Sequence, residues 1–282
     1  MEDSGIASKV REFASRSLVL LLSQLAKYPA IHFWKKQAPA VGRAPRYADE
    51  VQDENLNRAI YTYIIGNYDS LKEPDVRSRN WRYICYSDTA QDSNTWDVRQ
   101  LDTNWTRKLS SKQIASLLKI EHYKFAPTES DLVITIDGSM QIYADLDEVV
   151  DALWEDGLDM VIASHPKRDC VYREAVAVLE KGFDRPTSVC PQMWRYFLRG
   201  YPAANGMYGT RMMIKNNRSE NLRRMCEIWS QEYRRGSCRD QLSLNYAIWK
   251  ARCEGMAINI KEVDFNWLYK ESGMFGIRRH NG

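Results

Sequence analysis

The chain is poor in the features that would set it apart from ordinary globular chemistry. Its six cysteines, at 85, 170, 190, 226, 238 and 253, form no CxxC pair, and neither they nor His32, His122, His165 and His280 have the spacing of zinc ligands. That excludes a zinc ribbon or finger and leaves small apolar core thiols in a reduced, cytosolic setting. Long hydrophobic runs are also missing. Leu18-Val19-Leu20-Leu21-Leu22 lies between Arg16 and Ser23, far short of the ~20 apolar residues that span a bilayer, and no signal-peptide cleavage pattern follows it. Charge of one sign is scarce as well: the net charge is +3, and the 40 basic residues are spread along the chain rather than gathered into runs. Nucleic acid is therefore not an expected partner, although a local basic groove for a phosphorylated ligand is compatible with this balance. Neither an internal repeat nor a low-complexity segment is present.

What is there is enough apolar sequence for a sizeable core: 44% of the 282 residues are hydrophobic and 27% charged. Residues 36–57, with Pro39, Gly42, Pro45 and a cluster of acids, lack apolar periodicity and read as a linker. The expected organisation is a helical extension and linker over 1–56, then one domain over 57–282. Within the extension, residues 10–34 fit a helix packed on the domain, or an amphipathic helix resting on the anionic inner face of a membrane.

Along the domain, Ala59–Ile65 is β-branched and aromatic and stops at the turn signal Gly66-Asn67-Tyr68-Asp69, and Trp81–Tyr86 forms a second strand ending at Ser87-Asp88. Ser111–His122 has helical spacing, with Ser110 or Ser111 able to cap it. Then come a strand at Leu132–Ile136, a helix at Leu146–Trp154 and a strand at Met160–Ser164. Strand and helix alternate in an order that implies an α/β fold with a mainly parallel sheet. The second half is expected to contain helices at Val171–Lys181, Cys190–Arg199, Leu222–Tyr233 and Gln241–Trp249, with strands at Met207–Ile214 and Ala257–Val263.

The most informative stretch is Leu132-Val133-Ile134-Thr135-Ile136-Asp137-Gly138-Ser139. So apolar a strand belongs inside a sheet, which puts Asp137 at the carboxyl edge, where open α/β sheets bind their ligands. A strand-terminal acid followed by small residues suits a hard cation on a diphosphate, although Asp-Gly after a strand is also a common turn. If the first two strands neighbour this one, Gly66, Tyr68 and Asp88 lie beside Asp137 and can hold a base and a ribose; the duller reading makes Gly66-Asn67 a turn and Asp88 a cap. Arg107 and Lys112 fall at the start of the following helix, a favourable place for phosphate. His165 ends a further strand, and Arg168 can pair with phosphate or with Glu174. Asp240 opens a helix as a cap or, if that helix faces the cleft, as a carboxylate near a sugar ring.

Taken together, Tyr61-Thr62-Tyr63-Ile64-Ile65-Gly66-Asn67-Tyr68-Asp69, Ile136-Asp137-Gly138-Ser139, His165-Pro166 with Cys170-Val171-Tyr172-Arg173-Glu174-Ala175, and Arg239-Asp240-Gln241-Leu242-Ser243 resemble a known family. It is the group of glycosyltransferase-like domains that includes plant hexosyltransferases of mucilage synthesis and bacterial polysaccharide-locus proteins, and the resemblance covers about Ile60 to Trp249. It implies the GT-A fold, a single Rossmann-like α/β domain with a mainly parallel central sheet flanked by helices. It further implies a nucleotide-sugar donor, UDP-linked, a carbohydrate or glycolipid acceptor, and a divalent cation, Mn or Mg. By analogy Asp137 is the first acid of an Asp-x-Asp signature and a metal contact, with His280 completing the site. Thr62, Tyr63, Gly66, Tyr68, Asp88, Arg107, Lys112, Gly138 and Ser139 then serve the donor, His165, Arg168 and Tyr208 the sugar or acceptor, and Asp240-Gln241 the reaction. The third position of the signature is Ser139, not an acid, which weakens cation binding. The same departure gives substance to an alternative, a non-catalytic carbohydrate-binding member of the fold. A nucleotidyltransferase is disfavoured because Gly66-Asn67-Tyr68-Asp69 is acidic and aromatic, where a Gly-rich basic loop would be needed.

Overall fold

In the computed structural model the described residues are 14–24, 27 and 57–278. They fall into two compact units. A sheet unit draws on Val41–Pro166, Gly209–Glu227 and Ala257–Gly282, and a helical unit on Met1–Ala40, Lys167–Tyr208 and Ile228–Met256.

The sheet unit is built on alternation of period two. In β1 (Arg58–Ile64), Ile60 and Ile64 enter one core cluster while Tyr61 and Tyr63 enter another on the opposite face. β2 (Trp81–Ser87) does the same, with Trp81, Tyr83 and Cys85 on the first face and Ile84 and Tyr86 on the second. β3 (Asp97–Gln100) is a short, mostly exposed edge strand, and β4 (Leu132–Ile136) is buried at all five positions. Leu132, Ile134 and Ile136 face the first cluster and Val133 the second, each fully buried side chain contributing about 1.5–3 kcal/mol. Such a strand can only be central, because both of its faces need cover.

Helices supply that cover. Between β3 and β4 come the single turn α2 (Thr103–Thr106), α3 (Ser111–Ile120) and the short α4 (His122–Phe125). Ile114 and Leu118 of α3 pack on the second face, and the Tyr61 hydroxyl donates to the Leu118 carbonyl at 2.7 Å. Ser110 starts α3 with a complete capping box, accepting from the Gln113 N–H while the Gln113 side chain accepts from the Ser110 N–H. After β5 (Met140–Ile142), α5 (Leu146–Leu153) lays Leu146, Val149, Val150 and Leu153 on the first face. β6 (Met160–Ser164) follows.

With β7 (Tyr208–Asn216) and β8 (Ile260–Val263), the main sheet has the order β3-β2-β1-β4-β7-β6-β8. β1 is parallel to both β2 and β4, and β2 to β3, so the carboxyl ends of all four lie along one edge. β7 runs antiparallel to β4 with Ile136 opposite Met212, and β8 is parallel to β6. A π-helical turn, Trp267–Glu271, leads to β9 (Phe275–Ile277), which pairs antiparallel with β5 in a small second sheet. This is the mixed α/β architecture with a mostly parallel central sheet flanked by helices that the resemblance implies. The sequence reading omits β3, β5 and β9, three or four residues each.

In the helical unit, residues 14–24 form α1, and Val19 and Leu22 join a core with α6 (Val171–Glu180), α7 (Pro186–Leu198) and α9 (Gln241–Cys253). Leu18, Leu20 and Leu21 of α1 stay exposed. The rest of the expected 10–34 segment lies outside the described residues, apart from Lys27. α7 begins one turn before the expected Cys190 because Pro186 occupies its first turn, where a missing N–H costs nothing. Tyr196 and Tyr201, aromatic candidates for an acceptor surface, are core: Tyr196 stacks on Tyr246 at 3.7 Å between centroids. The buried Glu232 accepts from Arg195 at 2.7 Å and Arg199 at 3.2 Å. α8 (Glu220–Arg234) contributes to both units.

Candidate active site

β4 delivers Asp137 to the carboxyl edge of the sheet, as its sequence predicts. The Asp137 N–H donates to the Arg211 carbonyl of β7 at 2.8 Å, which continues the β4–β7 ladder by one residue and fixes the backbone there. On the side chain, Oδ1 accepts from the Tyr63 hydroxyl of β1 and lies 2.9 Å from the Lys119 ammonium of α3. Lys119 is nearly buried, its side chain 8% exposed against 25% for Asp137, and it also donates to Thr210 Oγ1 at 3.3 Å. The carboxylate is thus oriented by three elements and still reaches solvent. On the π-helical turn, the buried Tyr269 hydroxyl is held well above its usual pKa by burial first and by the negative Asp137 second.

Gly138 is required by crowding. A Cβ there would sit 2.8 Å from the Tyr63 carbonyl oxygen, 2.9 Å from Ile64 Cδ1 and 3.3 Å from Asp69 Cβ. Ser139 is 1% exposed and its hydroxyl has no hydrogen-bond partner, so this position faces the interior rather than the edge. Its carbonyl accepts from the Arg278 N–H at 2.9 Å, and the Gly138 carbonyl accepts from Lys72 Nζ at 3.0 Å.

The ends of β1 and β2 meet beside this turn. Gly66 and Asn67 both take left-handed backbone angles, φ +65° and +53°, a turn that glycine and asparagine tolerate best. Both Asp88 oxygens accept from the Gly66 N–H, at 2.9 and 3.0 Å. Asp88 therefore caps a turn, yet it sits on the same edge as Asp137. A Cβ on Gly66 would come within 2.8 Å of Ser111 Oγ, so the start of α3, with the half-buried Lys112, closes on this turn. Arg107 is exposed and its N–H closes α2 on the Thr103 carbonyl; Tyr68 projects an exposed ring. Thr62 lies inside β1, 3% exposed, so its hydroxyl is not presented to the edge. His165 is half-buried immediately after β6.

The remaining candidates belong to the helical unit. Arg168 pairs with the buried Glu174, the structural alternative for that residue. Tyr208, at the start of β7, donates its N–H to Asn245 Oδ1 at 3.4 Å. Asp240 is the N-cap of α9: it is buried, accepts from the Gln241 N–H at 2.9 Å, and offers its carbonyl to Trp229 Nε1 at 3.1 Å. The loop before it is pinned by Asp184, which accepts from Ser237 Oγ at 2.6 Å and the Cys238 N–H at 2.7 Å. Burial works to raise the pKa of Asp184, but these bonds hold it below its usual value. Gln241 is half-buried beside Asp240, and His280 lies outside the described residues.

Four side chains at the Asp137 turn escape the sequence reading: Lys119, Lys72, Asp69 and Arg278. Lys119 had a usable signal, since a lysine inside Leu117-Leu118-Lys119-Ile120 is hard to keep wholly in water. The other three are brought in by loops and by β9, which no local pattern announces.

The described residues are a poor match for a divalent cation. Asp137 Oδ1 is already shared by a hydroxyl and an ammonium, Ser139 faces inward, and among the described residues no group of three or more His, Cys, Asp or Glu side chains is placed to hold a metal ion.

An open α/β sheet with an oriented carboxylate and several cations at its carboxyl edge defines a protein of the nucleotide- and phosphate-handling class. The particular family follows from sequence: residues 112–271 match the model of the TOD1/MUCI70, glycosyltransferase-like domain family, more than half of the chain, and the chain belongs to it. No curated protein matches. Among solved structures, the chain is similar to mouse xyloside xylosyltransferase 1 in its apo form, at 11% identity and a TM-score of 0.40, over 74% of this chain and 86% of that one.

Proposed function

We propose that the protein is a glycosyltransferase that moves a sugar, a hexose, from a UDP-linked donor to a hydroxyl of a carbohydrate or glycolipid acceptor in polysaccharide biosynthesis. The observation that carries this reading is the solvent-reaching Asp137 carboxylate at the carboxyl end of β4, held by Tyr63 and Lys119, in a chain of a glycosyltransferase-like family.

In this reading the nucleotide lies across the ends of β1, β2 and β4. The exposed Tyr68 ring offers a stacking face for the base, Asp88 serves the ribose, and Arg107 and Lys112 serve the phosphates. His165, Arg168 and Tyr208 serve the sugar or acceptor. Asp240 is the carboxylate nearest the reacting carbon, where it takes the acceptor proton or stabilises positive charge growing on the ring, with Gln241 beside it. Positive side chains lower the barrier by stabilising the departing diphosphate, and the rest of the site holds the acceptor oxygen in line. The reading sets the enzyme in the cytoplasm, at the inner membrane face when the exposed Leu18, Leu20 and Leu21 rest on lipid.

The second reading, a carbohydrate binder without chemistry, is favoured by one observation, the inward-facing Ser139 where an acid is expected. Release of nucleoside diphosphate from a panel of nucleotide sugars decides between them, because a binder releases none. In the enzyme reading Asp240→Asn lowers turnover at least a hundredfold; unchanged turnover removes Asp240 from the mechanism.

A further inference from the structure

Deepening the sugar-transfer reading, on which it rests, the second inference concerns what neutralises the donor's diphosphate. The turn that should meet that group offers one solvent-reaching acid, already paired with Lys119, and no second acid at 139. Cations stand there instead. Lys72 Nζ donates to the carbonyls of Gly138 and Ser70, both at 3.0 Å, which fixes it over the Asp137-Gly138-Ser139 turn. Arg278 is anchored at the same turn through its N–H to the Ser139 carbonyl at 2.9 Å, with its guanidinium 5.6 Å from the centre of the Tyr143 ring.

We propose that Lys72 and Arg278 take the place of a divalent cation, holding the nucleoside diphosphate against the Asp137-Gly138-Ser139 turn, so that donor binding is independent of metal. Two cations brought together over one turn are unfavourable until an anion joins them. Lys72 carries that tension: its pKa lies below the usual lysine value, through burial first, with repulsion from Arg278 adding to it and attraction to Asp69 opposing it. Lysine and arginine side chains are well suited to this duty, since charge-assisted hydrogen bonds to phosphate are roughly twice as strong as neutral ones. The step asks nothing of the protein beyond charge and position, because no bond to the side chains forms or breaks.

The test is calorimetric titration of the full chain with UDP, once in excess EDTA and once in manganese chloride, beside a titration of manganese alone followed by the electron paramagnetic resonance of the free ion. The expected result is the same Kd in both buffers within about twofold, no stoichiometric uptake of manganese by the protein alone, and weakening by about tenfold or more for Lys72→Met and Arg278→Met, with Lys72→Arg near the parent. Circular dichroism confirms that each variant is folded. UDP binding that appears only with manganese, or that is unchanged in both methionine variants, overturns the inference while leaving the sugar-transfer reading in place. Absence of UDP binding in both buffers overturns the reading and the inference with it.

Discussion

Asp137 and Lys119 should behave as one energetic unit, and a double-mutant cycle measures this. Asp137→Asn leaves an ammonium whose side chain is 8% exposed without its counter-charge 2.9 Å away. Removing one partner from a buried pair costs about 3–5 kcal/mol, and because the Asp137 side chain is 25% exposed and water reaches it, we expect about 2–3 kcal/mol here. Lys119→Met is milder, about 1–2 kcal/mol, because Asp137 keeps the Tyr63 hydroxyl as donor and its own access to solvent. The double variant should be more stable than the sum of the two losses predicts, with a coupling of about 1–3 kcal/mol. Urea unfolding followed by tryptophan fluorescence reads all four proteins. The functional outcome diverges from the structural one: the double variant recovers stability over Asp137→Asn but not nucleotide binding, since the carboxylate is absent from both. Losses additive to within about 0.5 kcal/mol would refute the reasoning, because the ammonium would then not depend on Asp137 for its place in the interior.

The other expectations concern the same unit. Gly138→Ala should cost about 1–3 kcal/mol and weaken UDP binding, because its Cβ meets the Tyr63 carbonyl at 2.8 Å, backbone that cannot turn aside; unchanged unfolding and binding would contradict this. Lys215, fully buried and donating to the Lys119 carbonyl at 2.7 Å, has its pKa pushed down from 10.5 to about 8 by burial, opposed by Cys226 and assisted by Lys119. The native state therefore sheds this proton before the unfolded chain does, and stability should rise between about pH 8 and 10.5, by about 3 kcal/mol in all. Below about pH 8 the full penalty is present, and Lys215→Met should lack that alkaline gain in urea unfolding. Burial pushes the Cys85 thiol up to about 12 and the Cys226 thiol up to about 11, so neither should react with a disulfide reagent at pH 8 until the chain is unfolded.

The parts of the fold legible in the sequence were those where one physical signal dominates. Leu132–Ile136 and Met160–Ser164 are strands at the bounds their apolar runs suggest, because a short, fully buried strand has no polar face to confuse the pattern. The Ser110 cap fixes the start of α3, and the parallel order β2-β1-β4 puts Gly66, Asp88 and Asp137 on one edge. Elements held by pairing rather than by their own pattern were not legible: β3 is largely exposed Asp97-Val98-Arg99-Gln100, and β5 and β9 are three residues each, specified only by one another. The same limit separates the readable from the unreadable half of the site. Asp137 announces itself at the end of a hydrophobic run, but Lys72 and Arg278 arrive from a loop and from the end of β9. Ser139 faces the core because of the path the chain takes after Gly138, which spacing does not encode.

The most direct measurement is a crystal structure of the protein with UDP bound, prepared in EDTA. Sugar transfer at this sheet edge predicts the diphosphate within hydrogen-bonding or water-bridged reach of the Asp137 carboxylate, beside Lys72 and Arg278. A nucleotide bound at the opposite edge of the sheet, or a diphosphate that leaves Asp137 untouched, would contradict it.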